Sequence, residues 1–111
     1  MAIIQIYHYS VAINEEGFLI DFTQWNEEIA QFLADREHIQ LTPEHWEIIW
    51  LLREYYQQTQ HLPTLRMFVK LIGVKLGIEK GNSRYLHRLF NNSPLKYACK
   101  IAGLVKPPNC L

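Results

Sequence analysis

The chain has 111 residues, enough for one domain with a single modest hydrophobic core. Apolar residues make up 49% and charged residues 20%, a balance that excludes wholesale disorder. No stretch approaches the roughly 20 apolar residues of a membrane span, and the first ten residues lack the features of a signal peptide. Two cysteines are too few for a disulfide scaffold. We therefore expect a cytoplasmic protein that does not bind membranes.

The formal net charge of zero hides a division between the two halves of the chain. Residues 1–60 hold ten acids and two bases, a net charge of −8, and residues 61–111 hold nine bases and one acid, a net charge of +8. Such asymmetry favours an interaction face on the basic half, for nucleic acid or an acidic protein. The alternative is that the two halves simply attract each other within the fold.

The first part of the chain predicts an N-terminal β-hairpin followed by a helix. The runs AIIQIY and SVAI are rich in β-forming residues, and the turn from Asn14 to Gly17 ends the hairpin. Thr23 is the predicted N-cap of the first helix, whose apolar side chains begin with Trp25 and Ile29 at helical spacing.

The rest of the chain reads as helices. Thr42 before Pro43 and Glu44 is a strong start for a helix that runs to about Gln58. Further helices are predicted at about 63–76 with Gly77 as the stop, from Asn82 or Ser83 to about residue 90, and from Ser93–Pro94 to Gly103. Residues 1–103 are therefore expected to form a single helical domain, and residues 104–111 a flexible C-terminal arm.

A helix-turn-helix interpretation is possible for the pair at about 63–76 and 83–90. A glycine-bearing turn joins them, and Arg84 and Arg88 on the second helix could contact phosphates or base edges. Such pairs are common in all-α domains, however, and a connection of about six residues is long for a DNA-reading turn. A DNA-binding regulator thus stays open as an alternative, with weak, nonspecific binding expected.

The cysteines carry the remaining chemistry, since the histidines, acids and glycines form no metal site, zinc-protease motif or phosphate loop. We expect neither a metal nor a cofactor. Cys99 lies on the apolar stripe of the last helix, where core packing explains it. Cys110 follows Pro107–Pro108, and an arm of this length can extend the thiol roughly 20–25 Å from the body or fold back. Such a thiol suits a carrier.

Several segments resemble the DsrC/TusE family of small sulfur-carrier proteins over essentially the whole chain. They are EEGF with Trp25 downstream, LTPEHWEII, LREYY, EKGNSRYL with LF after it, and ACKIAGL followed by KPPNC. The resemblance implies a mainly α fold, a small orthogonal helical bundle with an N-terminal β-hairpin and a flexible C-terminal arm. It also implies that Cys110 accepts sulfur as a persulfide, and that Cys99 is the second thiol of DsrC-type members.

The resemblance implies two sets of partners. DsrC-type members serve dissimilatory sulfite reductase, where the two cysteines bridge sulfur as a trisulfide. TusE-type members generally have only the last cysteine, and they relay sulfur from the TusBCD complex towards the thiouridylase that makes 2-thiouridine in tRNA. Possession of both Cys99 and Cys110 favours the DsrC type, so we predict a carrier, rather than a stand-alone catalyst, in which Cys110 takes the sulfur and Cys99 resolves it.

The basic half supplies the predicted partner-binding residues: Lys80, Arg84, Arg88, Lys100 and Lys106. The chain also departs from the family pattern at Asn91, Ser93, Tyr97 and Val105. Val105 replaces a proline of the arm, and Tyr97 adds bulk beside Cys99. These departures leave the thiols in place but bear on which partner is recognised.

Overall fold

The computed structural model describes residues 1–108, which form a two-stranded hairpin followed by helices. In chain order the elements are β1 (Ala2–Ile6), β2 (Tyr9–Ile13), a 3₁₀ helix (Phe22–Gln24), α1 (Glu27–Arg36), α2 (Pro43–Thr59), α3 (Leu65–Leu76), α4 (Ser83–Phe90) and α5 (Pro94–Ile101). The predicted mainly α fold with an N-terminal β-hairpin is confirmed. Within the described residues, no helix is both long enough and apolar enough to span a membrane.

The hairpin packs on α1 through alternate side chains. β1 and β2 pair antiparallel in a register that runs from Ala2 opposite Ile13 to Ile6 opposite Tyr9. Because side chains alternate across a strand, one face of the hairpin is directed inward. Ile6, Val11 and Ile13 are buried there in a cluster with Ile29 and Leu33 of α1.

The predicted start of the first helix is wrong by a few residues. The Thr23 backbone N–H donates to the Asp21 carboxylate at 2.9 Å, so Thr23 lies inside the 3₁₀ turn that Asp21 caps. The cap of α1 is Asn26, whose side-chain oxygen accepts from the Ile29 N–H at 2.9 Å. Asparagine and aspartate are both good caps, and here the two short polar side chains start two successive helical segments.

The other helix starts and stops agree with the sequence signals. Pro43 is the first residue of α2, Asn82 caps α4, and Pro94 opens α5. Thr64 caps α3, and Gly77, with φ +108°, ends it. These agreements follow from local chemistry that acts before any tertiary contact forms.

The last helix lies at the centre of the core. α5 contacts α1, α2 and α4, and six of its eight residues are buried. Its buried side chains share one apolar cluster with residues of the other elements, including Phe18, Ile49, Phe68 and Phe90. The segment that ends in the predicted arm is therefore held by most of the domain.

Candidate functional site

The C-terminal end of α5 is closed by a pair of backbone hydrogen bonds. The Leu104 N–H donates to the Cys99 carbonyl at 2.9 Å, and the Gly103 N–H donates to the Lys100 carbonyl at 3.2 Å. Gly103 has φ +74°, in the left-handed region that glycine adopts without a steric penalty. This is the Schellman arrangement, which turns the chain sharply out of the helix. The arm therefore begins directly beside Cys99.

Trp25 fills the outer side of this turn. Its indole Nε1–H donates to the Ile101 carbonyl at 2.8 Å, which satisfies a helix-end carbonyl that has no partner within the helix. The ring also lies so close to Gly103 that a Cβ there would clash with the indole side chain. Trp25 therefore ties the 3₁₀ segment to the beginning of the arm.

Arg53 holds the same turn from α2. Its guanidinium donates to the Ala102 carbonyl at 2.6 Å and lies 3.9 Å from the Trp25 ring centroid and 4.2 Å from that of Phe22. The residue is only 8% exposed, and burial lowers the pKa of the guanidinium to about 10. Arg53 therefore stays cationic at neutral pH. No carboxylate of residues 1–108 forms an ion pair with it, so the aromatic faces and the Ala102 carbonyl compensate the charge.

The first residues after the turn lie against the body of the domain. Leu104 is 1% exposed and Pro107 is buried. Between them, the Lys106 ammonium contacts the Glu16 carboxylate at 2.9 Å, and its hydrogen bond lowers the pKa of Glu16. Val105, one of the departures from the family pattern, is 54% exposed. We call residues 104–107 the arm root.

The structure describes only one of the two cysteines that are predicted to act together. Cys99 is fully buried in the core cluster, as its place on the apolar stripe predicted. Cys110 lies outside the described residues. The roles predicted for the two cysteines therefore stay predictions.

The five predicted partner-binding residues fall into two groups. Three are engaged in ion pairs: Lys80 with Glu47 at 2.8 Å, Lys100 with Glu37 at 3.3 Å and Lys106 with Glu16 at 2.9 Å. Each pair joins a base of residues 61–111 to an acid of residues 1–60. Arg84 and Arg88 lie exposed on α4 instead, with the Arg88 guanidinium 5.7 Å from the Tyr85 ring centroid. Part of the opposite charge of the two halves is therefore paired within the fold.

The helix pair predicted from the sequence is present as α3 and α4. Gly73 of α3 and Gly81 before α4 approach so closely that a Cβ on Gly81 would clash with the Gly73 backbone. Whether the pair contacts nucleic acid stays a prediction. Within residues 1–108, no group of three or more histidine, cysteine, aspartate or glutamate side chains is placed to hold a metal ion.

The sequence analysis missed Arg53 and the anchoring role of Trp25. The signal for Arg53 was present, since it falls among Ile49, Leu52 and Tyr56 on a helical face that is otherwise apolar. A charge at such a position indicates a buried contact with a specific partner. The hydrogen bond from Trp25 to Ile101 spans 76 residues, and no local pattern predicts a pairing of that range.

A family model and the relatives with similar sequences all indicate the same protein family. The model of the family described as DsrC like protein matches residues 5–111. The chain is 48% identical over 101 residues to the sulfurtransferase TusE homolog of Haemophilus influenzae, covering 91% of this chain and 93% of that one. It is 46% identical to sulfurtransferase TusE of Escherichia coli K12, with the same coverage.

Two solved structures are similar over nearly the whole chain. The NMR structure of Allochromatium vinosum DsrC has a TM-score of 0.90 and 44% identity, covering 98% of this chain and 97% of that one. The crystal structure of the oxidized gamma-subunit of the dissimilatory sulfite reductase (DsrC) from Archaeoglobus fulgidus has a TM-score of 0.85 and 36% identity, covering 99% and 100%.

Proposed function

Because the chain belongs to the DsrC/TusE family, we propose that it is a sulfur carrier that accepts sulfane sulfur as a persulfide on Cys110. The observation that carries this proposal is the family match over residues 5–111, which includes Cys110. Relatives that are 46–48% identical carry the name sulfurtransferase. The carrier works with a donor and an acceptor protein in the cytoplasm rather than as a stand-alone catalyst.

Loading is a transfer of neutral sulfur between thiols. The Cys110 thiolate attacks the outer sulfur of a donor persulfide R–S–SH, forming Cys110–S–SH and releasing the donor as the thiolate R–S⁻. One S–S bond breaks and one forms, so no external oxidant is needed. The thiolate is the reactive form, which favours loading at neutral to mildly alkaline pH.

The arm root limits how far the sulfur can travel. Cys110 lies three residues beyond Pro107, so while Pro107 stays buried the Cys110 Cα reaches at most about 10 Å from that point. A donor whose sulfur is close to its surface can be met in this way. A deeper site requires Lys106 to leave Glu16 and the arm root to detach, which adds several residues of reach.

We also propose that Cys99 resolves the loaded sulfur. The Cys99 thiolate attacks the inner sulfur of Cys110–S–SH, forming a Cys99–Cys110 disulfide and releasing HS⁻, so atoms and electrons balance. The position of Cys99 beside the arm root supports this step, because the Leu104 N–H binds the Cys99 carbonyl. Burial of Cys99 opposes it, since a persulfide must enter the core to be attacked.

The choice of pathway depends on Cys99. We propose a dissimilatory sulfite reductase-type partner, supported by the second cysteine and by the similarity to the gamma-subunit structure. The alternative is a TusE-type relay for 2-thiouridine formation in tRNA, with a TusBCD-like donor complex and a thiouridylase as acceptor. The 48% identity to a TusE homolog and the burial of Cys99 favour it.

Among the five predicted partner-binding residues, Arg84 and Arg88 have the exposed guanidinium groups that a partner can reach first. Lys80, Lys100 and Lys106 can take part only after their ion pairs with glutamates open. Arginine suits such contacts because its planar fork binds carboxylates in a bidentate manner.

Loading is tested by exposing the purified protein to a small-molecule persulfide donor. We expect intact mass spectrometry to show an addition of about 32 Da, one sulfur atom, that digestion places on the last peptide. Cys99→Ala is the matched control: it should take up the sulfur as the wild type does and keep it for longer, because it lacks the resolving thiol. Equal loading of Cys110→Ser would contradict the carrier function.

The two pathways are separated by mild oxidation of the loaded and unloaded protein. A two-thiol mechanism predicts an intramolecular Cys99–Cys110 bridge, which requires the two Cα atoms to approach to about 5–6 Å. Disulfide mapping of the monomer detects it, and Cys99→Ala should lack it. If the wild type forms only Cys110–Cys110 dimers while Cys99 stays unmodified, the single-thiol relay is the correct pathway.

A further inference from the structure

α3 carries large apolar side chains outside the face that packs in the core. Phe68 and Ile72 are buried in the core cluster. Met67 and Val74, seven residues apart and so on the same helical face, are 47% and 73% exposed, and Ile78, just beyond the helix, is 82% exposed. We call Met67, Val74 and Ile78 the α3 stripe.

The α3 stripe is flanked by bases that form no ion pair within residues 1–108. Arg66, Lys70 and Lys75 are exposed, and none forms an ion pair with a carboxylate of residues 1–108. By contrast, Lys80, Lys100 and Lys106 are each paired with a glutamate. The exposed charged side chains next to the α3 stripe are therefore three bases and one acid, Glu79, which gives this surface a net charge of +2.

We propose that the α3 stripe is a docking surface for an acidic amphipathic helix of a partner protein. From Met67 to Val74 the stripe covers about 10 Å along the α3 axis, which is about two turns of a partner helix packed alongside, and Ile78 follows two residues after the last residue of α3. The apolar side of such a helix would cover Met67, Val74 and Ile78. Its flanking aspartates and glutamates would meet Arg66, Lys70 and Lys75, and this charge complementarity selects the partner.

Other occupants fit the stripe less well. Nucleic acid would place charged phosphates against three large apolar side chains, which offer them no hydrogen bond. A membrane-bound helix needs a broad apolar face, whereas the apolar face of α3 with Phe68 and Ile72 is already packed in the core. A two-fold dimer through the stripe would bring the three bases of both copies, six in all, into one interface.

The test uses the full chain and a synthetic peptide as the probe. The peptide is an acetylated helix of about 18 residues with leucines at i, i+3, i+4 and i+7 spacing and glutamates beside them. The same residues in scrambled order, and a version with lysine for glutamate, are the peptide controls. Amide chemical shifts of the ¹⁵N-labelled protein report where each peptide binds.

We expect the acidic amphipathic peptide to shift amides of residues 65–78, with an affinity that weakens as salt is added. Val74→Glu should weaken binding at least tenfold, and Lys70→Glu with Lys75→Glu should do the same. Ile3→Glu, on the equally exposed β1, is the matched control and should bind as the wild type does. Val74 and Ile3 are both more than two-thirds exposed, so neither change should disturb the fold.

Several results would overturn the proposal. One is no binding at about 1 mM peptide, where even a millimolar complex is populated. Others are equal binding of the scrambled peptide, or unchanged affinity in Val74→Glu. Shifts of residues 65–78 that appear with duplex RNA or anionic vesicles but not with the peptide would assign the stripe to those partners. Shifts that depend on protein concentration alone would assign it to a second copy.

Discussion

His45 joins the start of α2 to the end of α4 through both nitrogens of its ring. Nδ1 accepts from the Thr42 backbone N–H at 3.1 Å, and Nε2–H donates to the Leu89 carbonyl at 2.7 Å. The ring also meets Phe90 edge-on, with centroids 5.1 Å apart. Only the neutral imidazole can accept at one nitrogen and donate at the other. His45 therefore takes the place that glutamate or glutamine occupies in a capping box.

Burial lowers the pKa of His45 below its ordinary value of 6.5. Below pH 6.5 His45 binds a proton in the unfolded chain, whereas its imidazole in the native state stays neutral to a lower pH. The free energy of unfolding therefore falls as the pH falls through this range. Above pH 6.5 this contribution is fully present. We expect urea midpoints to drop between pH 7 and pH 5.5 more in the wild type than in His45→Gln, whose amide oxygen can still accept from Thr42. Parallel pH profiles of the two proteins would show that His45 does not carry the effect.

At the scale of elements, the turn after α5 depends on Gly103 for two separate reasons. The positive φ of +74° disfavours any side chain, and the Trp25 ring occupies the space that a Cβ would need. Gly17 shares only the first constraint: its φ is +90°, but a Cβ there would meet nothing closer than the Lys100 ammonium at 3.8 Å. The two glycines therefore form a matched pair.

We expect Gly17→Ala to cost about 1 kcal/mol, the ordinary penalty of a left-handed alanine. Gly103→Ala should cost about 3 kcal/mol or more, because Trp25 must also move and its bond to Ile101 is strained or lost. Urea denaturation of both variants measures the difference in the free energy of unfolding. Equal losses would mean that the Trp25 ring can move away from residue 103 at little cost in stability, and that it holds the arm root only weakly.

How much of this could be predicted from the sequence depends on the range of the interaction. The start of α2 at Thr42–Pro43 and the end of α3 at Gly77 depend on neighbouring residues, and both were predicted. The start of α1 was predicted at the wrong residue, because the Thr23 N–H donates to the Asp21 carboxylate in a separate 3₁₀ turn and Asn26 caps α1 instead. The clamp of Arg53 and Trp25 on the end of α5 joins segments 49 and 76 residues apart, and it became visible only in three dimensions.

At the scale of the whole molecule, the part of the chain that the structure describes has three ion pairs between the acidic first half and the basic second half, and their exposure to solvent differs. The Lys100 side chain is 8% exposed and that of Glu37 is 23% exposed, whereas the Lys80 and Glu47 side chains are 31% and 39% exposed. The Lys100 ammonium also lies 5.0 Å from the Phe18 ring centroid. Water and salt screen an exposed pair much more than a buried one.

We expect Lys100→Met to lower the free energy of unfolding by about 2 kcal/mol, because it leaves the Glu37 carboxylate partly buried without a partner. Lys80→Met should cost much less, because its pair with Glu47 is open to solvent. Urea denaturation of both variants at low salt and at about 0.5 M salt checks this, and only the smaller loss should shrink with salt. A loss for Lys80→Met as large as that for Lys100→Met would contradict the assignment.

Because α5 is central to the core and close to the C-terminal end, most of the domain can fold only late in protein synthesis. Residues 1–93 emerge from the ribosome first, but they lack Leu95, Ala98, Cys99 and Ile101, which complete the core. At about 5–20 residues per second, the surface of α1 that packs on α5 waits roughly 3–13 s between synthesis of Arg36 and synthesis of Ile101, and the surfaces of α2 and α4 wait for shorter times. The hairpin and α1 can close their own small cluster in that time. Folding of the rest must wait for the helix that carries Cys99, so a chain interrupted before α5 leaves its core exposed to proteases and chaperones.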